Sequence, residues 1–279
     1  VHGHGKAFFS QVHGGPHSAE TASLNTRYGD VKGPGNSLRV PADRVGLFAP
    51  NYRLLDVASI KTSSEQVIVS QSIDLPFAAE GWSASGLFTG NGDPIGAVQH
   101  GRPIYLLDCH DRLGRLRGRA GVLVRNYRGP FAGSNWAAFG VTNHDLFASG
   151  NSSARGLFLD TIQGLLTPGF IAEAGALLAC YRPDEIPELF ADIAHFSADP
   201  LDAVISVSVS PEGASVPCFS GTQKIRCEPG RALSRVTWPL TGAILSDDFY
   251  RVTVECRVED RIVDRLTTAF VVWQTDKLG

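Results

Sequence analysis

Residues 249–273 read FYRVTVECRVEDRIVDRLTTAFVVW, and this stretch decides the fold. Tyr250, Val252, Val254, Cys256 and Val258 alternate with Arg251, Thr253, Glu255, Arg257 and Glu259. A period of two puts the apolar set on one face of a strand and the polar set on the other. Glu259-Asp260-Arg261 supplies a short polar turn, and Ile262 to Trp273 runs back rich in Val, Thr, Phe and Trp. Half-buried antiparallel strands joined in this way belong to a β-sandwich, an architecture that supports or binds more often than it catalyses.

Upstream, Glu188–Ala194, Ala203–Ser210, Thr222–Glu228 and Leu233–Trp238 are further strand-like segments. Together with the final pair they give residues 183–279 the make-up of an immunoglobulin-like or fibronectin-like sandwich, although no Cys-Trp-Cys spacing of an antibody domain occurs. Tyr181-Arg182-Pro183-Asp184-Glu185 is the expected joint. Before it, residues 1–182 form a β-rich α+β domain. Its first part, 1–35, is rich in Gly and His and is expected to be irregular. Strand-sized runs then follow at Val45–Phe48, Val67–Ile73, Trp82–Phe88, Pro103–Leu107 and Ala120–Tyr127. One helix stands out. Leu157, Phe158, Thr161, Ile162, Leu165 and Leu166 recur at helical spacing, Ser152 or Ser153 can cap the start, and Pro168-Gly169 ends it. Phe170 to Cys180 fits helix or strand equally. The fold class is therefore α+β, predominantly β.

The chain has 279 residues, enough for two ordinary cores. Its formal net charge of −3 offers no broad basic surface, so nucleic acid is not an expected partner. No apolar run reaches the roughly 18 residues that a membrane-spanning helix needs. The chain begins at Val1 and contains no methionine, so it is expected to be a piece of something longer, and signal removal would fit an exported or extracellular protein. The cysteine count of five is odd, which argues against a fully paired framework. Cys218 and Cys227 could bridge neighbouring strands or remain free thiols.

Several groups carry potential chemistry. His2 and His4 would point the same way on a strand, and His13 and His17 would share a helical face, the kind of pairing that holds a divalent metal. A solvated terminal segment is the plainer reading, and no metal or other cofactor is expected. Asp108-Cys109-His110-Asp111 is the densest reactive group. On a strand Cys109 and His110 face opposite sides, so a thiolate pair is not expected, whereas Asp108 and His110 share a face. A polar strand end serving the turn at Arg112-Leu113-Gly114 is the competing account. Asp108, His110, Asp111 and His144 are the catalytic candidates of a hydrolase, metal-dependent in one version. Trp82-Ser83-Ala84-Ser85 lacks the second glycine of a nucleophile elbow. Arg115, Arg117 and Arg119, with Arg125 and Arg128 beyond, surround one hairpin and suit solvation or an acidic neighbour. Finally, glycines bracket Asn135-Trp136, with Asn143-His144-Asp145 downstream. An exposed Trp beside amide and carboxylate groups is how proteins hold sugars, which nominates Trp136, Asn135 and Asp145, and more weakly Trp82. The competing account puts Trp136 and Phe139 in the core.

From Pro103 to Cys180 the order of parts resembles the later half of an amidotransferase-like domain: a strand, a glycine turn, a strand ending in Phe139-Gly140-Val141, a helix, and a strand leading into a sandwich. Thr268-Ala269-Phe270-Val271-Val272-Trp273 resembles the closing strand of sandwiches that precede the catalytic barrel in large bacterial glycoside hydrolases, including the β-galactosidase-like enzymes. The resemblance implies an accessory region. It does not imply glutaminase activity, because neither Cys109 nor Cys180 has the glycine-flanked elbow. Nor does it imply glycosidase activity, because no barrel sequence is present. The expected role is a non-catalytic part of a carbohydrate-processing protein that packs on a catalytic domain or subunit and contacts oligosaccharide. The alternatives are the His/Asp hydrolase and a structural or oligomerising module.

Overall fold

The computed structural model describes residues 7–11, 50–53, 57–70, 72–76, 83–87, 101–128, 132–142, 152–229, 233–241, 245–246 and 248–273. Contacts divide the chain into two compact units, Val1–Leu166 and Thr167–Gly279. The division falls ahead of the joint expected after residue 182. Among the described residues no helix is long and apolar enough to cross a membrane. The structure is mostly β, with one described helix, as the alternating patterns predict.

In the first unit the strands are β1 (Ala7–Gln11), β2 (Pro50–Arg53), β3 (Ser59–Thr62), β4 (Asp74–Pro76), β5 (Ser83–Leu87), β6 (Gly101–His110), β7 (Leu116–Asn126), β8 (Asn135–Phe139) and β9 (Val141–Thr142), followed by α1 (Ser152–Leu166). A six-stranded sheet runs in the order β1-β8-β7-β6-β3-β4, and β2-β5-β9 form a smaller one. Strand β1 joins β8 in parallel, whereas β6, β7 and β8 are successive antiparallel neighbours. The helix contributes Ala154, Leu157 and Leu165 to a core shared with Ile60, Leu107, Leu123 and Phe139. Thr161 is buried with them, but Leu166 is 64% exposed, so the apolar stripe ends one residue earlier than its periodicity suggests. The helix begins at Ser152, so Ser153 lies in its first turn.

The described residues of Val67–Ile73 form no strand, contrary to expectation. The Gln66 side chain accepts from Val69 N at 2.6 Å and its amide reaches the carbonyls of Ser63 and Val69, giving the backbone a local alternative to a ladder. Ile68 and Val69 are buried all the same, because Ile68 packs against Gly164 of α1. Ser70 N and Oγ both donate to Asp160 of the helix, at 2.8 and 2.7 Å.

The second unit contains β10 (Gly169–Ala176), β11 (Cys180–Tyr181), β12 (Glu188–His195), β13 (Leu201–Pro211), β14 (Phe219–Cys227), β15 (Leu233–Pro239), β16 (Asp248–Val258) and β17 (Arg261–Val272). Its two sheets run β10-β12-β15 and β11-β17-β16-β13-β14. Strands β10 and β11 precede residue 182 yet pair with β12 and β17, so the ambiguous Phe170–Cys180 segment belongs to the sandwich. Both sheets feed one core. Leu189, Ile193 and Trp238 meet Ile205, Val207, Val252, Val254 and Phe270 there. Tyr250 stacks on Phe270 at 5.2 Å between centroids, and Tyr181 meets the same ring edge-on. Asp264 is the acid on this inner face. Its carboxylate accepts from Ile171 N and Arg265 N, both at 2.9 Å, and so ties β17 to the bulge in β10. All five cysteines are free. Cys227 closes β14 and Cys218 immediately precedes its start. At about 3.3 Å per residue they lie about 30 Å apart along one strand, which rules out the bridge considered from sequence.

Candidate functional site

The dense group at the end of β6 resolves into structural roles. Cys109 is fully buried, and its thiol is pushed up to about 12, first by burial and then by the charge of Asp108. A thiol held protonated in this way is no nucleophile. Asp108 accepts from Arg119 Nη1 at 2.6 Å. The same guanidinium reaches Ser63 Oγ and Glu65 Oε1, each at 3.2 Å, and lies 4.6 Å from the centre of the Tyr105 ring. Burial acts to lower the pKa of Arg119, but the hydrogen bond and charge of Asp108, together with Glu65, raise it overall.

Asp111 builds the β6–β7 turn. Its Oδ1 accepts from Leu113 N at 2.9 Å and Arg115 N at 3.0 Å, and its Oδ2 accepts from Arg115 Nε at 2.8 Å. Gly114 sits at φ 75°, a left-handed conformation that glycine adopts without steric penalty. Burial pushes the Asp111 carboxyl up, but the Arg115 and Leu113 amides and the Arg115 guanidinium outweigh it and hold the group below the usual 3.8. A bulge between Cys109 and His110 breaks the alternation that would have aligned His110 with Asp108. His110 is half-buried, its carbonyl accepts from Ala58 N, and its Nδ1 is buried without a hydrogen-bond partner.

Two of the expected sugar ligands, Trp136 and Asn135, are taken up in contacts within the first unit. Trp136 is 4% exposed and its Nε1 donates to Ser134 Oγ at 3.0 Å, so its ring offers no open face. Asn135 Nδ2 donates to the Leu165 carbonyl at the end of α1, at 2.8 Å, which makes it a cap on the helix. Arg125, grouped in the sequence with the solvent-facing arginines, is fully buried and donates from Nη2 to Gly164 O at 3.2 Å. His2, His4, His13, His17, Trp82, Asn143, His144 and Asp145 lie outside the described residues. Among the described residues, no group of three or more His, Cys, Asp or Glu side chains is placed to share a metal ion.

The outer face of the five-stranded sheet holds none of the site residues expected from the sequence. A cavity of about 370 Å³ opens there, lined by Glu212, Phe249, Arg251, Thr267 and Ala269 among others. Arg251 is paired across the ladder with Ala269, Phe249 with Val271 and Thr253 with Thr267. The signal was present in the alternation itself, since Phe249 occupies an outward position of β16 and is 53% exposed. Ala269 is the smallest side chain in that part of β17, and the hollow lies over it.

No family model matches the chain, and no curated protein matches it. Among solved structures, part of the chain is similar to a Paenibacillus cycloisomaltooligosaccharide glucanotransferase, at 11% identity and TM-score 0.33, over 38% of this chain and 14% of that one. A putative β-galactosidase from Bacteroides fragilis gives 8% identity and TM-score 0.31, over 37% and 17%. A Bacteroides uniformis β-glucuronidase gives 9% and 0.31, over 38% and 14%. The chain thus spans under a fifth of the length of each of these proteins, and at these TM-scores the similarity carries no inference about activity.

Proposed function

We propose that this chain is a non-catalytic accessory region of a carbohydrate-processing protein, with a sandwich that packs beside a catalytic unit and contacts glycan. The observation that carries the reading is the commitment of the two best acid candidates. Asp108 is clamped by Arg119 at 2.6 Å, and Asp111 spends its carboxylate on the amides of its own turn. Acid–base work requires a carboxyl free to exchange a proton with substrate, and both groups are held as structural acceptors. The glycan part of the reading draws on the order of parts along the sequence and on the open aromatic cavity of the sandwich.

The test is an assay of the purified chain against a panel of nitrophenyl glycosides, run with and without added divalent metal. The expected result is no turnover above buffer. Turnover that disappears in Asp108→Asn or His110→Ala would overturn the accessory role. One observation favours the hydrolase alternative, namely the buried, unpartnered Nδ1 of His110. Stoichiometric zinc or manganese in the purified protein, lost on His110→Ala, would move the conclusion to that side.

A further inference from the structure

We propose that the hollow over Ala269 is a binding subsite for one or two rings of an uncharged saccharide. The inference rests on the glycan-contacting reading above and gives it a location that sequence reasoning did not nominate. The floor comes first. Outward positions of β16 and β17 alternate with core positions, so Phe249, Arg251 and Thr253 stand on the same face as Val271, Ala269 and Thr267. Ala269 is the smallest of these outward side chains, and it lines a cavity of about 370 Å³ together with Phe249, Arg251 and Thr267. That is near the lower end of the ~300–1,000 Å³ typical of ligand sites and suits a small, compact ligand.

The walls supply what a pyranose ring needs. Phe249 is 53% exposed and lines the hollow with a flat apolar surface that can face the C–H side of a sugar. Thr267 brings a hydroxyl, with Thr253 Oγ1 beside it at 3.5 Å. Arg251 and Glu212 add one positive and one negative group to the same lining. Their charges cancel, so the site favours a neutral ligand that both donates and accepts hydrogen bonds, as vicinal hydroxyls do. Three arginines of this unit are engaged by acids, Arg226 on Asp202, Arg235 on Asp192 and Arg265 on Glu255, at 2.6 to 3.0 Å. Arg251 instead borders open space.

The experiment titrates the full chain with cellotetraose, maltotetraose and β-1,4-galactotetraose, with tetragalacturonate as the charged comparison, by calorimetry or backbone chemical shifts. At least one neutral tetrasaccharide is expected to bind and to perturb residues 249–251 and 267–269. Phe249→Ala, which removes the platform, and Ala269→Leu, which fills the hollow, should each weaken that binding about tenfold or more with an unchanged melting curve. The subsite is overturned if none of the neutral probes binds, if tetragalacturonate binds better, or if both variants bind as the parent does. Retained binding in both variants would move the glycan site elsewhere and leave the accessory role standing. Glycosidase turnover in the parent would remove the accessory role without touching the subsite.

Discussion

The end of β6 and the outer face of β16–β17 are built from nearly the same kinds of side chain. The first has Arg119, Asp108, Glu65, Tyr105 and Ser63; the second has Arg251, Glu212, Phe249 and Thr267. Their geometry separates them. Arg119 touches two acids, a hydroxyl and a ring, and its side chain is 21% exposed. The groups around Arg251 border a cavity that the small Ala269 side chain also lines. Residue type makes a region look chemical, but space beside unspent polar groups makes it able to bind. A conspicuous cluster can thus be scaffold while an inconspicuous stretch holds the opening.

The harshest way to break this contrast is Trp136→Ala. Were the ring a sugar platform, its loss would leave the fold unchanged. Buried as it is, truncation should cost about 3–5 kcal/mol, since a large cavity replaces a packed indole and Ser134 Oγ loses its donor. Urea denaturation of the full chain measures this directly. A variant with unaltered midpoint and no glycan affinity would return Trp136 to the binding site. Asp108→Ala comes next, at about 2 kcal/mol, because it strips one acceptor from a guanidinium that keeps Glu65, Ser63 and the Tyr105 ring. A midpoint equal to the parent's would show that the pair is not holding the strand end, and would reopen Asp108 as a reactive acid.

How far the sequence reveals this organisation depends on which signal carries each part. Strands β12 to β17 were legible because a period of two with one buried face has a single solution, and Tyr250, Val252, Val254 and Cys256 all point inward. Val67–Ile73 misled because β-branched residues mark burial as much as strand. Ile68 is buried under Gly164 of the helix without any ladder. Pro183 reads as a joint because it marks a turn, whereas β10 and β11, which precede it, already pair with β12 and β17. At the β6 end the residues could be named but not their commitments. Whether Asp108 is free depends on Arg119, eleven positions away across a bulged hairpin. The hollow over Ala269 was hidden for a related reason, because an absent side chain becomes a cavity only when the neighbouring strand is in register.

The pH response of the β6–β7 turn sharpens the comparison at a smaller scale. The Asp111 carboxyl is held below 3.8 by the amides and guanidinium it accepts from, against the push of burial. A depressed folded pKa contributes stability that is present above the unfolded value and is lost as pH falls through the folded one. Thermal melts of the parent and of Asp111→Asn should therefore differ between pH 5 and 7, and should converge as pH drops below 3.8. A gap that persists undiminished into strong acid would mean the aspartate stabilises through shape alone, with no contribution from its charge.

The smallest expected effect on stability is the one that separates the two regions best. Phe249→Ala and Ala269→Leu alter outward positions of long, well-paired strands, so each should shift the unfolding free energy by no more than about 0.5 kcal/mol. Leucine at 269 gains some β propensity and loses the hollow; alanine at 249 loses a ring that is already half in water. A melt displaced by several degrees in either variant would show that Phe249 is packed as part of the sandwich, as Trp136 is packed in the first unit. In that event the cavity is a gap in the scaffold. An unchanged melt leaves the ring with no structural task, and an exposed aromatic with none, beside an arginine, a glutamate and a hydroxyl pair, is a surface shaped for a ligand.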